Sequence, residues 1–163
     1  QQYQKEVITE AGKDFCVFLL SNLSASGYCS IESEIELYEM AITRAAPRGT
    51  IILKTHPRAS MHVVDRLSDR LSNRYRVHIL KSEYLKYPVE LWGDFLSKGT
   101  VYPLFSTTAI SLSFLTSVNV RLVLTDGMLN KAFSGKNAEH LIAIEQINRH
   151  VLARKWDQTS FLY

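Results

Sequence analysis

The sequence predicts an α/β fold, a three-layer sandwich with a mostly parallel sheet of about five strands, and three observations carry that prediction. Five short runs rich in β-branched and aromatic residues alternate along the chain with stretches of helical periodicity. The runs FCVFLL (15–20) and TIILK (50–54) are apolar without in-out alternation, as suits strands covered on both faces. The 163 residues, 46% hydrophobic and 21% charged, suit one domain with a real core, and no linker or repeat divides them. Strand and helix in turn, at this spacing, give a Rossmann-like layering.

FCVFLL opens the sheet and the polar loop SNLSASGYC (21–29) follows it. A helix is predicted from about Ser30 to Ala46, because Ile31, Ile35, Tyr38, Ile42 and Ala45 fall on one face. Ser30 is placed to cap it, with Glu32 and Glu34 favourable in the first turn; the acids of ESEIELYE (32–39) read as a solvated face. PRG (47–49) breaks the chain before TIILK (50–54). The next helix runs from about Ser60 to Asn73 with Met61, Val64, Leu67 (or Ser68) and Leu71 inward, and YRVHIL (75–80) is a third strand. Pro88 suits the first helical position of PVELWGDFLSK. TVYPLF (100–105) reads as a fourth strand, although Pro103 lacks a ladder donor. STTAISLSFLTS then forms a helix, VRLVL (120–124) a fifth strand, and residues from Asn137 to His150 an amphipathic helix carrying Leu141, Ile144 and Ile147 or Val151.

Composition excludes several classes of function. No apolar run approaches the roughly 20 residues that span a bilayer. The opening QQYQKEVITEAGKDF is polar rather than signal-like. A net charge of +3, with scattered basic residues and no aromatic platform among them, does not call for nucleic acid. Two cysteines, Cys16 in a strand and Cys29 in a loop, fit a reducing compartment and form neither a disulfide framework nor a zinc set. SGKN (134–137) lacks the upstream glycine of a P-loop, there is no Gly-x-Ser-x-Gly elbow, and no Asp-x-Asp pair stands ready for a divalent metal.

Three predicted strand ends open onto one edge of a parallel sheet, the edge where open α/β sheets bind ligands. At IILKTHPRAS (51–60), Pro57 stops the ladder, so Lys54, His56 and Arg58 project from the carboxyl end of an inner strand. A solvated loop that happens to hold charges is the alternative. In SNLSASGY, Ser24, Ser26 and Gly27 can offer hydroxyls and backbone N–H groups to an anion, without making a dinucleotide fingerprint. In LFSTTAIS, Ser106, Thr107 and Thr108 stand where a strand gives way to a helix. Capping accounts for one hydroxyl, and three in a row with free N–H groups also make a phosphate cradle. His62, His78, His140 and His150 read as packing or surface residues, whereas His56 stands at a strand terminus between two cations.

The motifs KTHPR, YPVELW and FSTT, in that order, resemble the donor-binding half of the bacterial sialyltransferases and polysialyltransferases, over roughly residues 15–125. The resemblance implies one half of a two-Rossmann (GT-B) scaffold, here residues 1–163 as a C-terminal donor-binding domain with the N-terminal acceptor domain absent. It implies an inverting, metal-independent transfer from CMP-sialic acid to a bacterial surface glycan, lipooligosaccharide or capsule, with no cofactor. His56 matches the His-Pro histidine, the catalytic residue that contacts the donor phosphate and protonates it as it leaves. Ser106 and Thr107 match the pair that binds that phosphate, and Thr108 adjoins them. Glu90 matches the carboxylate that holds the ribose hydroxyls, with Glu83 as its alternative under a shifted alignment. Ser24, Ser26 and Gly27 sit where the family's first loop nears the ligand, and Lys54 and Arg58 flank the histidine. A cytoplasmic enzyme follows, at the inner face of the bacterial membrane if peripherally bound; homo-oligomerisation stays open. A GT-B domain for another nucleotide sugar and a non-enzymatic Rossmann-like module are the alternative readings.

One domain has no room for the second half that would bind the acceptor and supply a base within reach of its hydroxyl. Residues 1–163 are therefore expected to bind CMP weakly and to transfer no sialic acid. Sialyl transfer by this chain alone, measured with labelled donor and a glycan acceptor, would place the base within it.

Overall fold

Successive side chains of a strand point to opposite faces. In the first strand Phe15, Val17 and Leu19 are buried on one side and Cys16 and Phe18 on the other, so the strand carries no polar face. The computed structural model describes residues 15–45, 49–80, 88–106, 108–115, 117–133 and 139–159. Its elements run β1 (Phe15–Leu19), α1 (Ile31–Ala45), β2 (Thr50–Lys54), α2 (Met61–Ser72) and β3 (Arg76–Ile79). A 3-10 turn (Val89–Trp92) leads into the short α3 (Gly93–Leu96), then β4 (Thr100–Pro103), α4 (Thr108–Leu115), β5 (Asn119–Val120), α5 (Asp126–Ala132) and α6 (Glu139–Thr159).

All ladder pairs are parallel and the strand order is β3-β2-β1-β4-β5. One core lies between the sheet and α1, α2 and α5, where Phe18, Ile51 and Tyr102 meet Ile35, Tyr38, Leu67 and Leu129. The other lies beneath the 3-10 turn, α3, α4 and part of α6, where Val17, Ile52 and Val101 meet Trp92, Phe95, Leu112 and Leu152. The sheet is thus covered on both faces, as its unalternating strands require, and the fold is Rossmann-like. No helix among the described residues is long and apolar enough to cross a membrane.

Several elements differ from expectation for identifiable reasons. Pro103 closes β4 without weakening it, because the next residue, Leu104, supplies the N–H that reaches the Leu19 carbonyl at 3.0 Å. β5 is two residues long: Arg121 N–H still bonds Val101 O at 2.9 Å, after which the chain leaves the ladder. Pro88 precedes a 3-10 turn rather than an α-helical one. The helix α5 was not anticipated; Thr125 caps it, its hydroxyl accepting Met128 N–H at 3.3 Å. In α2, Met61 is exposed and Val63 takes the buried place beside Val64, Leu67 and Leu71. In α6 the buried line is Leu141, Glu145, Asn148 and Leu152, and Ile147 faces outward. The segment SGKN (134–137), set aside as a P-loop, and the alternative Glu83 lie outside the described residues.

The acids of α1 are not a solvated face. Glu32 takes Arg66 at 2.7 Å and also Arg70, and Glu39 takes Arg74 at 2.6 Å, tying α1 to α2; these guanidinium contacts, Arg70 first, hold the Glu32 carboxyl below its ordinary range. Glu34 is buried. Its Oε1 accepts Leu23 N–H at 3.0 Å and the Tyr38 hydroxyl at 2.9 Å, and its Oε2 accepts Ser24 N–H at 2.8 Å and the Ser24 hydroxyl. Burial, then the Glu34 carboxylate, keeps the Tyr38 phenol well above its ordinary pKa, so it stays a donor. One side chain therefore pins the loop after β1 to the helix that follows it. Ser30 caps the same helix, its hydroxyl accepting Ser33 N–H at 3.0 Å.

Removing the Glu34 acceptor would strand four donors in or near the core. Glu34→Ala is expected to cost about 3–5 kcal/mol, and Tyr38→Phe about 1 kcal/mol, in denaturant melts. A Glu34→Ala loss below about 1 kcal/mol would show that the loop has another anchor.

Candidate anion-binding cleft at the carboxyl edge of the sheet

The chain fills one side of the sheet with β2 and β3, then returns to the other side of β1 with β4 and β5. The helix after β1 packs on one face and the helix after β4 on the other. The two connections part, and a crevice opens between the carboxyl ends of β1 and β4, the position where such folds take ligands. There the structure holds a cleft of about 260 Å³, lined by residues 19–21, 54–57 and 88–90 with Ser106 and Thr108. The Ser21 hydroxyl bonds the Leu104 carbonyl at 2.8 Å and fastens its floor across the crevice.

Lys54 ends β2 and is almost fully buried; that burial lowers its pKa, with the Glu90 carboxylate pulling the other way. The next two residues turn out of the sheet at the His-Pro corner. The His56 Nδ1 accepts Arg58 N–H at 3.1 Å, so the neutral ring carries its proton on Nε2. Burial, then Arg58, then Lys54 lowers the His56 pKa, and losing the Nδ1 acceptor on protonation works in the same direction. The imidazole is thus a neutral Nε2–H donor at pH 7.

On the far side, Phe105 holds a left-handed backbone (φ 59°), a strained state for a residue with a bulky side chain. Its ring is kept in place edge-on to Phe133 at 5.5 Å. This kink presents Ser106, whose hydroxyl oxygen accepts Thr108 N–H at 3.3 Å and retains its own proton for a ligand. The Ser106 carbonyl receives Ala109 N–H at 3.1 Å and the Asn148 amide at 3.2 Å. Glu90, on the 3-10 turn, accepts the Ser111 hydroxyl at 2.6 Å through Oε1.

The cleft therefore brings together Lys54, His56, Glu90, Ser106 and Thr108 among the residues singled out from sequence. Thr107 lies outside the described residues. Ser24, Ser26, Gly27 and Arg58 do not line it. Ser24 is held by Glu34, Ser26 accepts the Asn22 amide at 3.0 Å, and Gly27 supplies the positive φ (77°) of an exposed turn. Arg58 is exposed and meets the site through its backbone N–H alone.

Sequence reasoning missed Ser21, Thr55, Ser111 and the α6 pair Glu145 and Asn148. Thr55 is a cleft-lining residue that the His-Pro reading passed over. Glu145 is buried, and desolvation pushes its carboxyl up to about 7 against the pull of Arg149 and then Asn148. A spacing of four between Leu141 and Glu145 and of three between Glu145 and Asn148 was the available signal, overridden by the isoleucines beside it. The thiols are not chemistry: Cys16 is buried, and burial, aided by Glu34, lifts Cys29 to about 11.

Chemically, the cleft offers an ammonium, an imidazole N–H and a hydroxyl together with a carboxylate. A ligand with an anionic centre beside a pair of hydroxyls complements that arrangement. Among the described residues no three His, Cys, Asp or Glu side chains come together as a metal-holding group. No curated protein matches the chain. Residues 2–120, which carry the whole sheet and every cleft-lining residue, match the family model of the alpha-2,8-polysialyltransferases (POLYST). On that match and this fold, the chain belongs to the alpha-2,8-polysialyltransferase family, a sialyltransferase type of glycosyltransferase.

Proposed function

We propose that the cleft binds CMP-sialic acid and that the chain is the donor-binding domain of an inverting, metal-independent sialyltransferase that modifies bacterial surface glycan. The observation that carries the reading is the convergence of Lys54, His56, Glu90 and Ser106, from three separate segments, on one crevice at the strand-order reversal. The donor phosphate sits against the His56 Nε2–H, the Ser106 hydroxyl and the Lys54 ammonium. Glu90 accepts the two ribose hydroxyls, and charge-assisted bonds of this kind are strong. As the bond from phosphate oxygen to the sugar's anomeric carbon breaks, negative charge grows on the phosphate. Donors fixed beforehand in a partly desolvated cleft stabilise that charge without reorganising. The neutral His56 first donates a hydrogen bond. An arriving anion raises its pKa, so the ring becomes better able to carry a proton as CMP departs. The base that deprotonates the acceptor hydroxyl belongs, on this reading, to the acceptor-binding half.

Calorimetry of the 163-residue chain with CMP, UMP and cytidine tests the assignment. CMP is expected to bind better than UMP, and His56→Ala to weaken CMP about ten- to a hundredfold while leaving cytidine nearly unchanged. Glu90→Gln should weaken CMP and cytidine alike, since both carry the ribose. Equal losses of both ligands in His56→Ala would assign the histidine to the fold. With the methyl ester of CMP, whose single phosphate charge does not titrate near neutrality, affinity should rise as pH falls from 7 towards the lowered His56 pKa. The imidazolium gains attraction to the phosphate, and the slope should vanish in His56→Ala. Indifference of the wild-type chain to CMP would overturn the reading.

A further inference from the structure

We infer that Asn148 of α6 is a positioning residue for the phosphate-binding turn: its side-chain amide holds the Ser106 carbonyl and thereby aims the Ser106 hydroxyl at the donor phosphate. This rests on the donor-binding reading of the cleft. Asn148 lies beyond the segment matched by the family model and does not line the cleft.

Three observations carry it. Asn148 is 1% exposed, and its Nδ2 donates to the Ser106 carbonyl at 3.2 Å across 42 residues of sequence. The peptide that it grips follows Phe105, whose left-handed backbone is strained and relaxes unless neighbours hold it. The Ser106 hydroxyl belongs to the same residue as the gripped carbonyl, so the turn's orientation and the hydroxyl's direction are one variable. The third observation is the cost. Asn148 Oδ1 and both Glu145 carboxyl oxygens are buried and have no hydrogen-bond partner among the described residues. An orphaned buried acceptor is unfavourable, and a leucine would fill the same volume without it. Packing alone therefore does not account for an asparagine here; its amide serves the Ser106 carbonyl and also draws on the Glu145 carboxyl three residues before it.

The test uses the 163-residue chain, with calorimetry of CMP and cytidine on wild type, Asn148→Ala and Asn148→Leu. Leucine keeps the volume, removes the donor and removes the orphaned oxygen, so Asn148→Leu is expected to fold and to melt no lower than Asn148→Ala. Both variants should weaken CMP about five- to tenfold and leave cytidine within about twofold, because only CMP reaches the turn. Equal weakening of both ligands, or none, would overturn the inference, as would failure of both variants to fold, which would make Asn148 an ordinary core residue. Failure of the wild type to bind CMP is a separate result. It would remove the donor reading, and the inference with it, before any Asn148 variant is compared.

Discussion

The reversal of strand order between β1 and β4 is the constraint on which the rest of the molecule depends. A right-handed crossover leaving β1 packs on one face and one leaving β4 packs on the other, so neither can fill the gap between their ends. Everything placed at that gap comes from a segment that leaves the sheet there. Lys54 and His56 reach it from β2, Ser106 from β4, and Glu90 from the 3-10 turn that precedes β4. Topology has thus gathered side chains far apart in sequence at one place.

The chemistry of the crevice follows from how these groups are solvated. Lys54 and His56 are both shifted towards their neutral forms, chiefly by burial. Such a wall is a poor resting place for positive charge and a good one for an anion, which restores to the cations what desolvation took from them. The Arg58 N–H fixes the imidazole tautomer through the backbone of the His-Pro corner itself, so no second side chain is needed to orient the ring. That is a reason for the proline beyond ending a strand: it holds the corner in which Nδ1 can reach the N–H two residues on.

The sheet was legible because its signal is redundant. Both faces of β1 and β2 are apolar, so FCVFLL and TIILK read as buried strands whatever the register. His56 and Ser106 were legible for a related reason: each stands where a secondary-structure signal changes, and a polar residue at such a boundary is visible, whereas Glu90 came from the resemblance carried by YPVELW. Glu34, Glu145 and Asn148 were not. Each sits inside a helix whose polar residues look solvated, and two of them are buried against a backbone partner elsewhere: Leu23–Ser24 for Glu34 and the Ser106 carbonyl for Asn148. Helical periodicity reports apolar faces and cannot report a polar side chain turned inward to meet a backbone group. The same blindness explains why Ser24 looked like a ligand contact. Its hydroxyl and N–H were free in the sequence and are occupied in the fold.

Two buried polar anchors consequently divide the labour at the sheet edge. Glu34 gathers donors from the loop after β1 and draws it onto α1, which keeps Ser24 out of the cleft and leaves the crevice mouth to Ser21. Asn148 instead gives a donor to the loop after β4 and holds it beside the cleft. Their imbalance differs too. Glu34 has donors on both oxygens, whereas the Asn148 Oδ1 and the Glu145 carboxyl lack hydrogen-bond partners among the described residues. A satisfied anchor stabilises the fold; an unsatisfied one next to a strained turn weakens it. Stability is therefore concentrated on the β1 side of the crevice and strain on the β4 side, where Ser106 lines the cleft. The Ser106 hydroxyl already accepts Thr108 N–H at the start of α4, which leaves its own proton as the group that can face the cleft. On the proposed donor-binding reading, the left-handed Phe105 and the grip of Asn148 hold that hydroxyl towards the cleft before any ligand arrives, a preorganisation by which neutral donors would stabilise a departing phosphate.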